Sequence, residues 1–207
     1  MPGREFFVNS EPFFMSDTDA TRLIFQPIVM MPGLILLGIV IVWLNFLFYK
    51  KRLEPLVPLL SGIIRNNWGR AVLQGVWDGK TVEIVLIPAG KNTPPKMQIA
   101  LKNYYAFNLK ISQDSFVYQW SKKLGLMKEV EIGEPEFDKK YFLETNNPQE
   151  VISFLTSKKQ DIVKSLNFSQ LVFTPQEVRY ILAHYRDEHL QAQQVVDVLQ
   201  KLSALAG

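Results

Sequence analysis

The sequence predicts an α+β protein: one N-terminal transmembrane α-helix, followed by a soluble domain with a mainly antiparallel sheet and C-terminal helices. Residues 28 to 49, IVMMPGLILLGIVIVWLNFLFY, are 22 consecutive positions without a charge, bracketed by Arg22 and by Lys50, Lys51 and Arg52. Two β-branched and apolar runs, Ala71 to Trp77 and Thr81 to Ile87, are joined by Asp78-Gly79, a pair suited to the positive backbone angles of a tight hairpin turn. From Glu188 to Leu205, the residues Leu190, Val195, Val198, Leu199, Leu202 and Leu205 recur at helical spacing.

At about 1.5 Å of rise per residue the uncharged run reaches roughly 33 Å, enough to cross a hydrocarbon core of about 30 Å. A secretory signal has a shorter apolar region with a basic start and small residues at its cut. Here the run follows Arg4, Glu5, Glu11, Asp17, Asp19 and Arg22 and ends in Phe46, Leu47, Phe48 and Tyr49, so a retained anchor is expected. Lys50, Lys51, Arg52, Arg65 and Arg70 follow the span, whereas Arg4 and Arg22 precede it. Basic residues stay on the cytoplasmic side, which places the C-terminal domain in the cytoplasm and the N-terminus outside. The organisation is then an extracytoplasmic aromatic tail (1–22), a transmembrane helix (23–49), a juxtamembrane connector (50–68) and a soluble α+β domain (69–207).

Pro27 and Pro32 lie at the start of the run, and a missing amide donor is cheap only in a first turn, so regular helix is expected from near Pro32. Gly33 and Gly38 miss the four-residue spacing that stacks small residues on one face, and self-dimerisation through the span is not supported. Trp43 suits the aromatic belt, and Asn45, the one strongly polar side chain of the run, can reach headgroups or a partner helix. The tail carries Phe6 with Phe7 and Phe13 with Phe14. Left in water, each of these rings would forfeit on the order of 2 kcal/mol, so they either dip into the outer interface or dock on another membrane protein. Phe6, Phe7, Phe13, Phe14, Trp43 and Asn45 are thus the candidate partner-binding residues, toward other integral membrane subunits and membrane lipid.

Past the span, Pro55 and Pro58 limit helix, and Leu59, Leu60, Ile63 and Ile64 form the face of a short one. The hairpin of residues 71 to 87 follows, then a loop through Gly90, Asn92, Pro94 and Pro95. Met97 to Leu101 and Phe107 to Ile111 alternate as strands, and Phe116 to Trp120 reads as another strand or a short helix. Phe137 and Tyr141 to Glu144 read as strand. Asn147-Pro148-Gln149-Glu150 opens a helix with a capping side chain and a proline at its first position, and a second helical piece runs from about Gln160 to Leu166. Residues 171 to 185 read two ways: Thr174-Pro175-Gln176-Glu177 has capping-box form, yet Val178, Tyr180, Leu182 and His184 alternate.

The succession of hairpin, proline-rich loop, two strands, GEPEFDKKYFLETNNPQEVISFL (Gly133 to Leu155), strand pair and terminal helix resembles a loosely defined group of uncharacterised bacterial single-span membrane proteins with a soluble α+β domain. The resemblance favours a hairpin at residues 171 to 185 and implies an α+β domain; the expected location is the bacterial inner membrane. The resemblance brings no catalytic residues.

The candidates for chemistry are few. With no cysteine, disulfides, thiolate nucleophiles, iron–sulfur clusters and cysteine-based zinc sites are excluded. The two histidines, His184 and His189, lie five apart where a zinc-binding pair on one helix wants four; His184 is expected on a sheet face and His189 at the start of the last helix. Glycines 69, 75 and 79 match neither the phosphate-cradling loop nor the dinucleotide fingerprint, and Ser112, Ser115, Ser121 and Ser153 lack the nucleophile elbow. Glu134, Glu136 and Asp138 form the one carboxylate group that could hold a cation or supply acid and base, yet Lys139 and Lys140 neutralise it locally. A net charge of +3 is too small for a nucleic-acid surface, and the aromatics from Tyr104 to Tyr118 fit core and edge strand better than a base-stacking platform. No cofactor or metal is expected. The expected function is a non-catalytic accessory or scaffold subunit of a larger membrane complex. The alternative is a membrane-tethered enzyme or ligand sensor using Glu134, Glu136, Asp138 and Arg186.

Overall fold

The computed structural model describes residues 17–113 and 130–207, with side chains from residue 32 onward. Phe6, Phe7, Phe13 and Phe14, and the segment Phe116 to Trp120, lie outside the described residues. The chain divides into two compact units, Met1–Trp43 and Leu44–Gly207.

Helix α1 runs over Asp17–Leu53. It passes both prolines, correcting the expectation of a start near Pro32. A helix that stops leaves four backbone groups free at its end, and in hydrocarbon each unsatisfied group costs several kcal/mol. Continuing past a proline forfeits far fewer bonds. From Pro32 onward the chain is long and apolar enough to cross a membrane, with a mean hydropathy of 2.1.

The second unit is α+β. A 3-10 turn, Glu54–Leu56, and α2, Val57–Leu60, lead into β1, Ile63–Asn67. The expected short helix is therefore confined to α2, and Ile63 and Ile64 belong to the sheet rather than to a helical connector. Ser61 turns the chain with φ 45°, and the Gly62 N–H donates to the Val57 carbonyl at 3.1 Å. Strands β2, Arg70–Trp77, and β3, Lys80–Ile87, form the expected hairpin, with Asp78 at φ 50° and Gly79 at φ 72°. These are the paired positive angles for which Asp-Gly is suited. β4 is Lys96–Lys102 and β5 is Leu109–Gln113.

Phe137 falls in a short helix, α3, Pro135–Lys140, rather than in a strand; β6, Tyr141–Thr145, follows directly. Pro135 suits a first helical turn and Phe137 is fully buried there. Asn147 caps α4, Pro148–Phe154, accepting from the Glu150 N–H at 3.4 Å. Helix α5 spans Ser157–Ser165. Strands β7, Gln170–Thr174, and β8, Glu177–Ala183, resolve the two readings of residues 171 to 185 in favour of a hairpin. The capping-box tetrad is its turn, with Thr174 opposite Glu177. Past a 3-10 turn, Asp187–Leu190, α6 spans Ala192–Ala206.

The eight strands form one sheet in the order β1-β2-β3-β4-β8-β7-β5-β6, with every neighbouring pair antiparallel. Its register aligns Ile64, Leu73, Ile84, Ile99, Tyr180, Leu171, Ile111 and Leu143 in a row across all of the strands. The row belongs to the core, into which α6 sends Val195, Leu199, Leu202 and Leu205 and the N-terminal connection sends Leu53, Leu56 and Leu60. The opposite face carries Gln74, Glu83, Gln98, Lys102 and Arg179, none of them buried. Alternation thus sorts one face into the core and the other toward polar surroundings.

The connection between α2 and β2 is tight. A Cβ on Gly75 would lie 2.5 Å from the Leu60 carbonyl oxygen, and one on Gly62 2.5 Å from that of Gln74. Gly75→Ala is expected to lower stability by about 1–3 kcal/mol, as overpacking against backbone does. A denaturant titration of the detergent-solubilised protein checks this through its midpoint, with an unchanged slope.

Candidate functional site

Of the six candidate partner-binding residues, the structure describes the side chains of Trp43 and Asn45. Both are exposed, Trp43 to 55%. Leu34, Ile35, Leu36, Leu37, Ile39 and Ile41 are exposed as well, and their close spacing puts apolar surface on every side of the helix. A surface of that kind needs lipid or protein around it.

Where α1 ends, Arg52 makes contacts that its reading as an orienting charge did not foresee. Its guanidinium lies 5.5 Å from the Phe48 ring centroid and 5.3 Å from that of Tyr185. It also donates to the Tyr185 hydroxyl at 3.3 Å and pairs with Asp187. Arg52 is therefore stacked between two rings and tied to the segment after β8, 133 residues away in sequence. A planar guanidinium suits this site and an ammonium would not. Burial pushes the Tyr185 phenol up, and the Arg52 charge opposes that.

On the polar face of the sheet, Glu83, Gln98, Lys102, Pro175, Glu177 and Arg179 are among the residues lining a concavity of about 610 Å³. Glu177 is buried at its rim, one oxygen paired with Lys102 and the other with Arg179. Burial alone would push this carboxyl up, but the hydrogen bonds and charges of Lys102 and Arg179 outweigh it and hold the group below the ordinary value of 4.5. A carboxylate bound on both oxygens is an anchor for two cations rather than a proton acceptor poised near neutral pH.

Glu134, Glu136 and Asp138 have separate employments. Asp138 accepts from the backbone N–H groups of Ile132 and Gly133 at 3.1 and 3.0 Å, holding the turn into α3. Glu134 pairs with Lys164, and Glu136 is exposed. Among the described residues, no three His, Asp or Glu side chains group so as to hold a metal ion. Arg186 pairs loosely with Glu188 at 3.9 Å.

The histidines depart from expectation. His184 lies past the end of β8 in a left-handed turn, φ 56°, its N–H donating to the Pro95 carbonyl at 2.8 Å. His189 sits in the 3-10 turn before α6, and its Nδ1 accepts from the Arg186 N–H at 2.9 Å. Each serves a turn. Of the aromatic tract, Tyr105 and Phe107 are core residues packed with Phe154 and Phe173, at centroid separations of 4.9 to 6.4 Å, whereas Tyr104 is 80% exposed.

No family model matches the chain, and no curated protein matches its sequence. Among solved structures it is similar to the crystal structure of the mycobacterial trehalose monomycolate transport factor A, TtfA, with 11% identity and a TM-score of 0.45, over 65% of this chain and 70% of that one. A likeness of that degree carries no inference about activity or partners.

The lowered pKa of Glu177 has a consequence with a definite sign. As pH falls, the unfolded chain takes up the proton first, so the stability Glu177 contributes is complete well above pH 4.5 and is lost as pH drops through the native value below it. Glu177→Gln is expected to unfold over a shallower acid limb than the wild-type protein. Parallel acid titrations followed by circular dichroism check the difference.

Proposed function

We propose that the chain is a non-catalytic accessory or scaffold subunit of a larger bacterial inner-membrane assembly, such as an energy-transducing complex. One observation carries this reading: the exposed, all-round apolar surface of α1 from Leu34 to Phe48, which needs a hydrophobic surrounding. Two further features support it. The tail before the helix carries Phe6, Phe7, Phe13 and Phe14, and Asp138, Glu134, His184 and His189 are engaged in turns or an ion pair. In this reading the span and tail dock on partner helices, with Trp43 and Asn45 among the contacts, while the domain lies in the cytoplasm beside Lys50 and Lys51.

Partner and orientation are tested separately. Tagged full-length protein, extracted from native membranes in mild detergent, is expected to retain a stoichiometric membrane subunit. Replacing Phe6, Phe7, Phe13 and Phe14 together by alanine is expected to reduce that recovery severalfold. Elution alone, with every membrane complex intact in the deletion strain, rejects the proposal. Because the chain has no cysteine, Ser10→Cys and Thr81→Cys report sidedness directly. An impermeant maleimide added to intact spheroplasts is expected to label the first and spare the second until lysis.

A further inference from the structure

The turn between β1 and β2 is built from a residue that costs the fold twice. Trp68 sits at φ 51° with Gly69 at φ 79°, and the strands close around them through the Asn67–Arg70 pair. The Gly69 N–H donates to Asn66 Oδ1 at 2.8 Å. A two-residue turn with both angles positive favours asparagine or aspartate at its first position, as Asp78 is in the next hairpin; a bulky side chain there is strained. Trp68 is also 96% exposed, the highest value among the large hydrophobic residues described. Folding gains nothing from an indole held in a left-handed conformation in water, and such paired costs mark positions with another use.

The surroundings of Trp68 point to that use. Arg65 and Arg70 flank it, both exposed, and among the described residues neither is engaged in an ion pair. No Asp or Glu occurs between Val57 and Trp77. Among the described residues the tip is therefore an indole between two guanidinium groups without a carboxylate partner. Indoles settle at the headgroup level of a bilayer, and basic residues near an anionic leaflet draw a segment toward it. One indole and two arginines would hold a free soluble protein on a membrane only weakly. On a chain already anchored, the second contact is intramolecular and its effective concentration is high. Trp68 follows the last residue of α1 by 15 positions, and most of that path is 3-10 turn, helix and strand, with a contour of roughly 40 Å.

We infer that the Trp68 hairpin tip is a second membrane contact, inserting its indole among the headgroups of an anionic leaflet with Arg65 and Arg70 on phosphates. This rests on the reading of α1 as a membrane anchor with the domain on the cytoplasmic side. Trp68→Asn is the decisive variant because it improves the turn while removing the ligand-seeking group. Full-length wild-type and Trp68→Asn proteins are placed in nanodiscs of brominated phosphatidylcholine, with and without phosphatidylglycerol, and the difference in emission isolates Trp68 from the other tryptophans.

The expected result is quenching of that difference emission in anionic nanodiscs, its loss in zwitterionic ones, and a weakening of about fivefold for each of Arg65→Gln and Arg70→Gln. Trp68→Asn is expected to melt at a higher temperature than wild type. Unquenched difference emission, quenching indifferent to lipid charge, or a lower melting temperature for Trp68→Asn each overturns the inference. Trp43 supplies the control. Quenching of the emission that remains in Trp68→Asn keeps the anchor reading intact when the tip fails, and its absence rejects the anchor itself.

Discussion

The sheet depends on a hairpin that arrives late. Strands β1 to β4 form an uninterrupted antiparallel run, and β5 with β6 forms a second piece, but no ladder joins β4 to β5. They are joined by β8 against β4 and by β7 against β5. The buried row from Ile64 to Leu143 passes through Tyr180 and Leu171 at its centre. Without the hairpin the core would be two half-rows, each with an edge open to water. The turn Pro175-Gln176 and the buried carboxylate of Glu177, paired with the part-exposed Lys102 and Arg179, lie at one end of this insertion. Removing either cation would leave this buried carboxylate less well compensated, so the polar face is tied to the same element as the core.

The N-terminal connection is equally committed. Leu53, Leu56 and Leu60 are fully buried, although Leu53 is the last residue of a helix whose preceding residues expose apolar surface. The chain passes from exposed apolar surface to buried core within a few residues. Glycines 62 and 75 allow the backbones of α2 and β2 to close to contact, and Arg52 fastens the end of α1 to Tyr185 and Asp187. A side chain that the positive-inside rule counts as a topological signal is, in the fold, a stacked and paired structural residue. Of its two basic neighbours, Lys50 pairs loosely with Glu54 at 3.9 Å and Lys51 is exposed.

Local signals were legible in the sequence and distant ones were not. The Asp78-Gly79 turn, the alternation of β3 and β4, the Asn147 cap and the stripe of α6 each depend on a few neighbouring residues, and the structure has them where the sequence puts them. Phe137 was misread because an isolated aromatic before a strand carries no period, and Pro135 is the better guide there. The Trp68-Gly69 turn was missed because tryptophan is a poor resident of that position, so propensity argued against it. The hairpin of residues 170 to 183 was ambiguous in isolation. What decides it is pairing with β4 and β5, which lie more than 50 residues upstream. The contacts of Arg52 were invisible for the same reason: no pattern near residue 52 announces Tyr185.

Translation runs in the order that suits this sheet least. Helix α1 and β1 to β4 are made before β5 and β6, and the strands that must stand between them, β7 and β8, come after both. Until then β4 and β5 present unpaired edges, the feature most prone to wrong partners. β5 ends at Gln113 and β7 begins at Gln170, so the open edge of β5 waits for the whole of the intervening segment. Sheet closure therefore waits for the β7–β8 hairpin, and whatever meets the open edges in that interval competes with it for the native ladders.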